Sequence, residues 1–264
     1  TLKGITKDAT TKTWTVDVSD NGDGTLLAVT VAAETDSLTF TNRYEATGTI
    51  QPEAEKELKG RVMTTTDCFS FTITEDGNPV STGNNNGSGT ITFTPIDYTL
   101  ADVGKHTYVI AEDDTGIKGI TKDATTKTWT VEVSDKGDGT LTAVTVAAET
   151  DSLTFTNTYE ATGSIQPEAE KELKGRVMTT EDCFSFTITE NGTPVSTGNN
   201  NGSGTITFTP IDYTLADVGK HTYVIAEDDT SVKGITKDAT TKTWTVDVSD
   251  NGDGTLLAVT VAAE

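Results

Sequence analysis

Cysteine, methionine and histidine are nearly absent from this chain, with two of each in 264 residues. The cysteines, Cys68 and Cys183, stand out of phase with Phe69 and Phe184 beside them, so they are expected to face outward. They fall in successive copies of a long repeat, and such domains separate their cysteines by several times the roughly 7 Å Cα limit of a disulfide. Free thiols are therefore expected, with an interchain bridge as the sharper alternative. His106 and His221 each lack a neighbouring second ligand and are expected to pack rather than hold a metal. No run approaches the roughly 20 apolar residues of a bilayer-spanning helix, which argues against membrane insertion of this segment. Basic residues are scarce, 19 Lys and Arg against 41 Asp and Glu, and a net charge of −22 disfavours nucleic acid and anionic membrane as partners. No nucleophile–His–acid set, P-loop or dinucleotide fingerprint occurs, so neither turnover chemistry nor a cofactor is expected. "SDNGDGT" at 19–25 lacks the ligand spacing and distal glutamate of a calcium loop and reads as a hairpin turn.

What the chain does have is repetition. "KGITKDATTKTWTV" begins at residues 3, 118 and 233, a spacing of 115 each time, and "EAEKELKGRVMTT" begins at 53 and 168. Residues 3–34 and 233–264 are identical. A unit of 115 residues is the size of a whole domain, so the chain reads as beads on a string rather than a solenoid. Three segments follow: 1–43, the C-terminal part of one repeat; 44–159, a complete repeat; and 160–264, a further repeat lacking its last strand. No signal peptide or sorting segment is visible and the pattern starts midway, as in a fragment of a longer protein.

Within a repeat, alternation with period two dominates. "CFSFTIT" sets Phe69, Phe71 and Ile73 against Ser70 and Thr72; "GTITFTP" aligns Ile91 and Phe93; "TWTVEV" aligns Trp129, Val131 and Val133. "LTAVTVAAE" continues the pattern. "EDGNP", "GNNNGSG" and "SDKGDGT" punctuate these runs as turns, and "YTLADVG" has room for one helical turn. Seven or more short strands at this spacing predict an all-β fold of tandem immunoglobulin-like sandwiches.

Three polar residues share the phase of the apolar faces. In "IQPEAEKEL", Lys56 alternates with Ile50, Pro52, Ala54 and Leu58; in "KHTYVIAE", Glu112 follows His106, Tyr108 and Ile110; in "SLTFTN", Asn157 follows Leu153 and Phe155. Taken singly, each has a bland explanation: a snorkelling amine, a strand cap, the start of a turn. Together, and recurring in each repeat, they need something to offset burial, because an unpaired buried charge costs several kcal/mol or shifts until neutral. A covalent bond would offset it.

At this point the ordered set "EAEKELKGR", "YVIAEDD" and "LTFTN" resembles the isopeptide-forming domains of Gram-positive pilins and surface adhesins, of the streptococcal backbone-pilin and CnaB type. The Phe-x-Phe strand, the "VGKHTYVIAE" strand and the "SDKGDGTLTA" hairpin agree with it, and the resemblance covers essentially the whole repeat. It implies an intramolecular amide bond between Lys56 and Asn157, with Glu112 as catalyst, and Glu227 in the same role beside Lys171. An aromatic pocket (Phe69, Phe71, Phe155 and Tyr108 are candidates) would favour a neutral amine and a protonated carboxyl. It further implies an extracellular, Gram-positive cell-surface stalk or fibre whose only chemistry is a single self-crosslinking turnover. The alternative is an adhesive module whose repeated loops, "GNNNGSG" among them, bind a host glycan or protein by avidity.

The counterparts of that trio are incomplete elsewhere. Asn42 has no counterpart of Lys56 before it, and the asparagine matching Lys171 and Glu227 would stand at 272, beyond residue 264. Either the window is cut from a continuous array, or a strand of a neighbouring copy completes the domain. In the second case Asn42 of one chain meets Lys171 of the next, head to tail.

Overall fold

The structure is a computed structural model that describes residues 2–113, 116–228 and 232–263. It is almost entirely β, in antiparallel strands, with helix confined to single 3-10 turns such as Leu100–Asp102 within "YTLADVG". Among the described residues, no helix is long and apolar enough to cross a membrane. The chain forms two compact units: Thr1–Glu55 with Cys68–Asp113 and Ala124–Thr154, and Lys56–Asp67 with Asp114–Asp123 and Phe155–Glu264.

In the first unit, the start of strand Glu53–Lys59 pairs with Thr90–Phe93, which pairs with Asn78–Asn85. The order continues through Ser70–Glu75, Gly104–Glu112, Lys127–Asp135 and Leu141–Thr145. A separate pair, Thr47–Ile50 with Ile96–Thr99, reaches this sheet through a bridge from Thr47 to Thr140. The second unit follows the same order from Glu168–Glu170 to Leu256–Ala263, with Thr162–Ile165 on Ile211–Thr214.

These residues form strands because β-branched and aromatic side chains alternate with small polar ones, so one face is apolar throughout. Phe69, Phe71, Ile73, Ile91, Ile110 and Val131 are fully buried, each worth roughly 1.5–3 kcal/mol of transfer free energy. The hairpin after Ser70–Glu75 turns on Asp76 and Gly77, both at positive φ (49° and 80°), as a two-residue turn that follows the strand twist requires. Cys68 and Cys183 are exposed free thiols.

"SDNGDGT" and its copies are hairpin turns whose carboxylates are spent on the turn itself: Asp20 accepts from Gly22 N–H at 2.8 Å and Asp23 from Thr25 N–H at 3.0 Å. The later copies also receive a tyrosine. In the first unit, Tyr44 donates its hydroxyl to Asp135 at 2.7 Å and accepts from Gly139 N–H at 3.2 Å. There the backbones of Gly4 and Gly139 touch, and a Cβ on Gly139 would lie 2.7 Å from Gly4 Cα. In the second unit, Tyr159, Asp250, Gly254 and Gly119 repeat the arrangement.

The histidines pack, and each is doubly anchored. His106 Nδ1 lies 2.7 Å from Glu75 Oε1 and Nε2 lies 2.7 Å from the Asp102 carbonyl, above the hydrogen-bonded Tyr98–Tyr108 hydroxyl pair. His221 repeats this with Glu190, Asp217, Tyr213 and Tyr223. A carbonyl and a carboxylate both accept, so both ring nitrogens carry protons and the ring is an imidazolium. Burial opposes that charge, but the Asp102 carbonyl and the Glu75 carboxylate outweigh it and raise the pKa above 6.5. A raised folded-state pKa contributes stability that is complete below 6.5 and is lost as pH rises through the folded value. Thermal melts from about pH 6 to about pH 9 should therefore show a falling midpoint. The His106→Gln, His221→Gln double variant should be flat across that window and weaker at its acid end by about 1–2 kcal/mol per site. A wild-type midpoint that holds or rises with pH would refute the imidazolium assignment.

Candidate functional site

The phase of the first strand decides which way its lysine points. Along Glu53–Lys59, Ala54 and Lys56 are buried and Leu58 is half-buried, while Glu53, Glu55, Glu57 and Lys59 are exposed. Lys56 is only 3% exposed, which for a four-carbon amine means that the ammonium itself has left water. Glu112 closes strand Gly104–Glu112, paired in register with Phe71, and is 4% exposed. Asn157, in strand Thr154–Tyr159 between Phe155 and Tyr159, is fully buried. All three residues in phase with the apolar faces are thus inside: an amine, a carboxyl and a carboxamide.

The second unit brings the matching pair together. Lys171 Nζ lies 2.6 Å from Glu227 Oε2 and 4.9 Å from the centre of the Phe184 ring. The two side chains are 10% and 3% exposed, so the contact is made in a largely dry environment where a charge-assisted hydrogen bond is strong. They sit in a groove of about 800 Å³ whose apolar walls include Phe186, Ile206 and Ile235. Glu227 Oε1 is buried and has no hydrogen-bond partner among the described residues. A buried acceptor left in this state costs about 1–3 kcal/mol and would be satisfied by one amide N–H.

Asn42 is not brought to a lysine. It is exposed, and its Oδ1 accepts the backbone N–H of Asp8 at 2.9 Å. In return Asp8 Oδ2 accepts Thr41 N–H at 3.0 Å. The Thr10 hydroxyl, with the Thr41 and Thr10 amides, holds the Asp8 carboxyl at a pKa of about 2.

The complete repeat has the same arrangement in buried form. Asp123 N–H donates to Asn157 Oδ1 at 2.7 Å, and Asp123 Oδ2 accepts Thr156 N–H at 3.1 Å. Sequence reasoning missed this aspartate. "KGITKDATTKTW" served only as a ruler for the repeat, although an Asp two residues before a Thr, three times over, is the mark of a side-chain-capped turn. In the second unit Asp238 N–H donates instead to Glu227 Oε2, at 3.2 Å. A second fork was also unforeseen: Arg61 binds Asp67 through both terminal nitrogens at 2.8 and 2.7 Å, and stacks 4.7 Å from the centre of the Tyr159 ring.

Comparison with known proteins identifies the family. A family model described as FctA, a Spy0128-like isopeptide-containing domain, matches residues 1–45, 52–160 and 167–264. Among solved structures, the chain is 16% identical to the major pilin protein T-13 of Streptococcus pyogenes, with a TM-score of 0.27, covering 83% of this chain and 91% of that one. It is also 16% identical to the major pilin protein T3.2 of the same organism, with a TM-score of 0.29 and coverage of 81% and 92%. No curated protein matches the chain. Because the family model spans nearly every residue, and its matched stretches contain each of the lysines, glutamates and asparagines described above, the chain belongs to the FctA family of Spy0128-like isopeptide-containing domains.

Proposed function

We propose that this chain is a force-carrying segment of a pilus-type fibre on a Gram-positive cell surface, each repeat closing itself with one lysine–asparagine amide bond. The observation that carries the proposal is the buried Lys171–Glu227 contact at 2.6 Å, one repeat after Lys56 and Glu112, which are buried too. In the complete repeat, Lys56 Nζ attacks Asn157 Cγ, the Cγ–Nδ2 bond breaks and ammonia departs with the lysine proton. Glu112 takes that proton from the amine and delivers it to the leaving nitrogen. Folding supplies the proximity, equivalent to an effective molarity on the order of 10⁵ M or more, and the product stays in place, so each domain turns over once. The bond closes a loop of roughly 100 residues, worth about 4–5 kcal/mol by analogy with disulfides.

The stalk reading is favoured over the adhesive one by the loop "GNNNGSG". Asn86 Oδ1 already accepts from Ser88 N–H at 3.0 Å, Ser88 Oγ at 2.7 Å and Thr90 N–H at 3.0 Å, so its acceptor is spent on shaping the turn. The tyrosine–glycine joints at Tyr44 and Tyr159 also suit a fibre, since they replace a floppy linker with hydrogen-bonded backbone contact. Head-to-tail contact between copies would bring the exposed Asn42 of one to the Lys171–Glu227 groove of another, where Glu227 Oε1 has no partner among the described residues.

The intact mass of the chain should be lower than its sequence mass by one ammonia, with the peptide bearing Lys56 joined to the one bearing Asn157. Glu112→Ala should restore the full mass. Full mass in the wild type would remove the crosslink and leave Lys56 a buried lysine without a product. On concentration, the chain should form a ladder that survives boiling in detergent. Asn42→Ala and Lys171→Arg should each abolish that ladder while leaving the Lys56–Asn157 mass deficit intact. Absence of a ladder at saturating concentration would confine the chemistry to single chains.

A further inference from the structure

We infer that the backbone N–H of Asp123 is a catalytic group of the crosslinking reaction, the oxyanion donor for Asn157; the inference rests on the amide-bond reading above. The argument begins with the orientation of a carboxamide. A backbone N–H can only donate, so the atom 2.7 Å from Asp123 N must be the oxygen of Asn157, and the nitrogen that leaves as ammonia is turned away from it. The donor therefore fixes where the charge-gathering oxygen lies and which way the departing nitrogen faces.

Its distance suits the task. When a neutral lysine amine adds to Cγ, the carbonyl π electrons move onto Oδ1, and a donor within about 2.7–3.1 Å of that oxygen lowers the barrier. Collapse of the adduct restores the C=O, expels Nδ2 as ammonia carrying the proton lost by lysine, and leaves Oδ1 as the new amide oxygen on the same N–H. Nothing is oxidised or reduced, and one C–N bond replaces another.

The donor is built before the rest of the site. In residues 5–44 the same contact, Asp8 N–H to Asn42 Oδ1 at 2.9 Å, forms at an exposed asparagine. Local pairing is sufficient: Ile5–Thr6 pairs with Arg43–Tyr44, as Ile120–Thr121 pairs with Thr158 and Tyr159. The aspartate is fixed in turn by the residue before the asparagine, through Thr41 N–H or Thr156 N–H. The Thr two residues on from it adds an N–H and a hydroxyl, at 2.9 and 2.6 Å for Asp8 and at 2.9 and 2.7 Å for Asp238. In the second unit, where no asparagine lines the groove among the described residues, the Asp238 N–H turns to the Glu227 carboxylate at 3.2 Å. The same N–H thus meets the amide oxygen or the catalytic carboxylate, the two groups between which charge moves during the reaction.

The test replaces the Asp123 amide with an ester in the full chain, using the α-hydroxy analogue of aspartate, which removes the N–H and keeps the carboxylate on Thr156. Chains held unlinked in denaturant are refolded by dilution, and loss of ammonia is followed by mass while refolding is followed by tryptophan fluorescence. The ester chain should refold and lose ammonia about 10²–10³ times more slowly, the usual effect of deleting one oxyanion donor. An ester chain that refolds and reacts at the wild-type rate overturns the inference while leaving the crosslink standing. A wild type that never loses ammonia overturns the crosslink reading itself, and a Glu112→Ala chain that loses it equally fast overturns the catalytic role given to Glu112. Should the ester chain not refold, the folded, unlinked Glu112→Ala chain decides by NMR. A through-bond coupling between Asp123 15N and Asn157 13Cγ, with slow exchange of that amide proton, supports the donor, and its absence overturns it.

Discussion

A lysine held against a glutamate in a groove with apolar walls is the constraint on which the arrangement of this site depends. Removing both charges from water costs several kcal/mol per ion, and an ion pair alone often fails to recover it. The 2.6 Å contact of Lys171 with Glu227 gives the amine an acceptor, but among the described residues Glu227 Oε1 has no partner. A site in that condition is under-satisfied, and the proposed conversion to a neutral amide would remove the charge that makes it costly. The same low dielectric that penalises the pair would favour the proposed reaction.

Strand geometry sets up the pair. Lysine, glutamate and asparagine come from three strands far apart in sequence, and each is inward only because its phase matches the apolar alternation beside it. A slip of one residue in any of these strands would turn its functional side chain to solvent and send a glutamate, alanine or threonine inward instead. The register of Glu112 with Phe71, and of Glu227 with Phe186, keeps each carboxyl beside an aromatic residue of the neighbouring strand. The turn around Asp123 adds a donor that no strand supplies, since its N–H points at a side chain rather than along a ladder.

The same economy appears where one stretch of repeat meets the next. The acidic hairpin that superficially resembles a calcium loop uses its aspartates to shape the turn and to receive a tyrosine hydroxyl. Glycine is required at Gly119 and Gly254, which combine positive φ (75° and 84°) with backbone contact that no Cβ would permit.

Much of this was legible in the sequence, because period-two alternation is a local signal and strands read it directly. The all-β fold, the turns, the outward cysteines and the burial of Lys56, Glu112 and Asn157 follow from phase alone. The Asp123 contact was not legible: a backbone N–H carries no residue label, and its acceptor lies 34 positions away. The partners of the histidines were equally hidden, since Glu75 reaches His106 from a neighbouring strand. The clearest separation comes from residues 3–34 and 233–264, which are identical in sequence. Trp14 is 63% exposed and Trp244 is 7%; Val18 is 56% exposed and Val248 is 2%. Sequence alone determined that these residues form hairpins with one apolar face, because alternation and turn chemistry act over a few neighbours. Only the tertiary structure decided whether that face is covered, because burial depends on strands packed across from it, and those lie dozens of residues away in the chain.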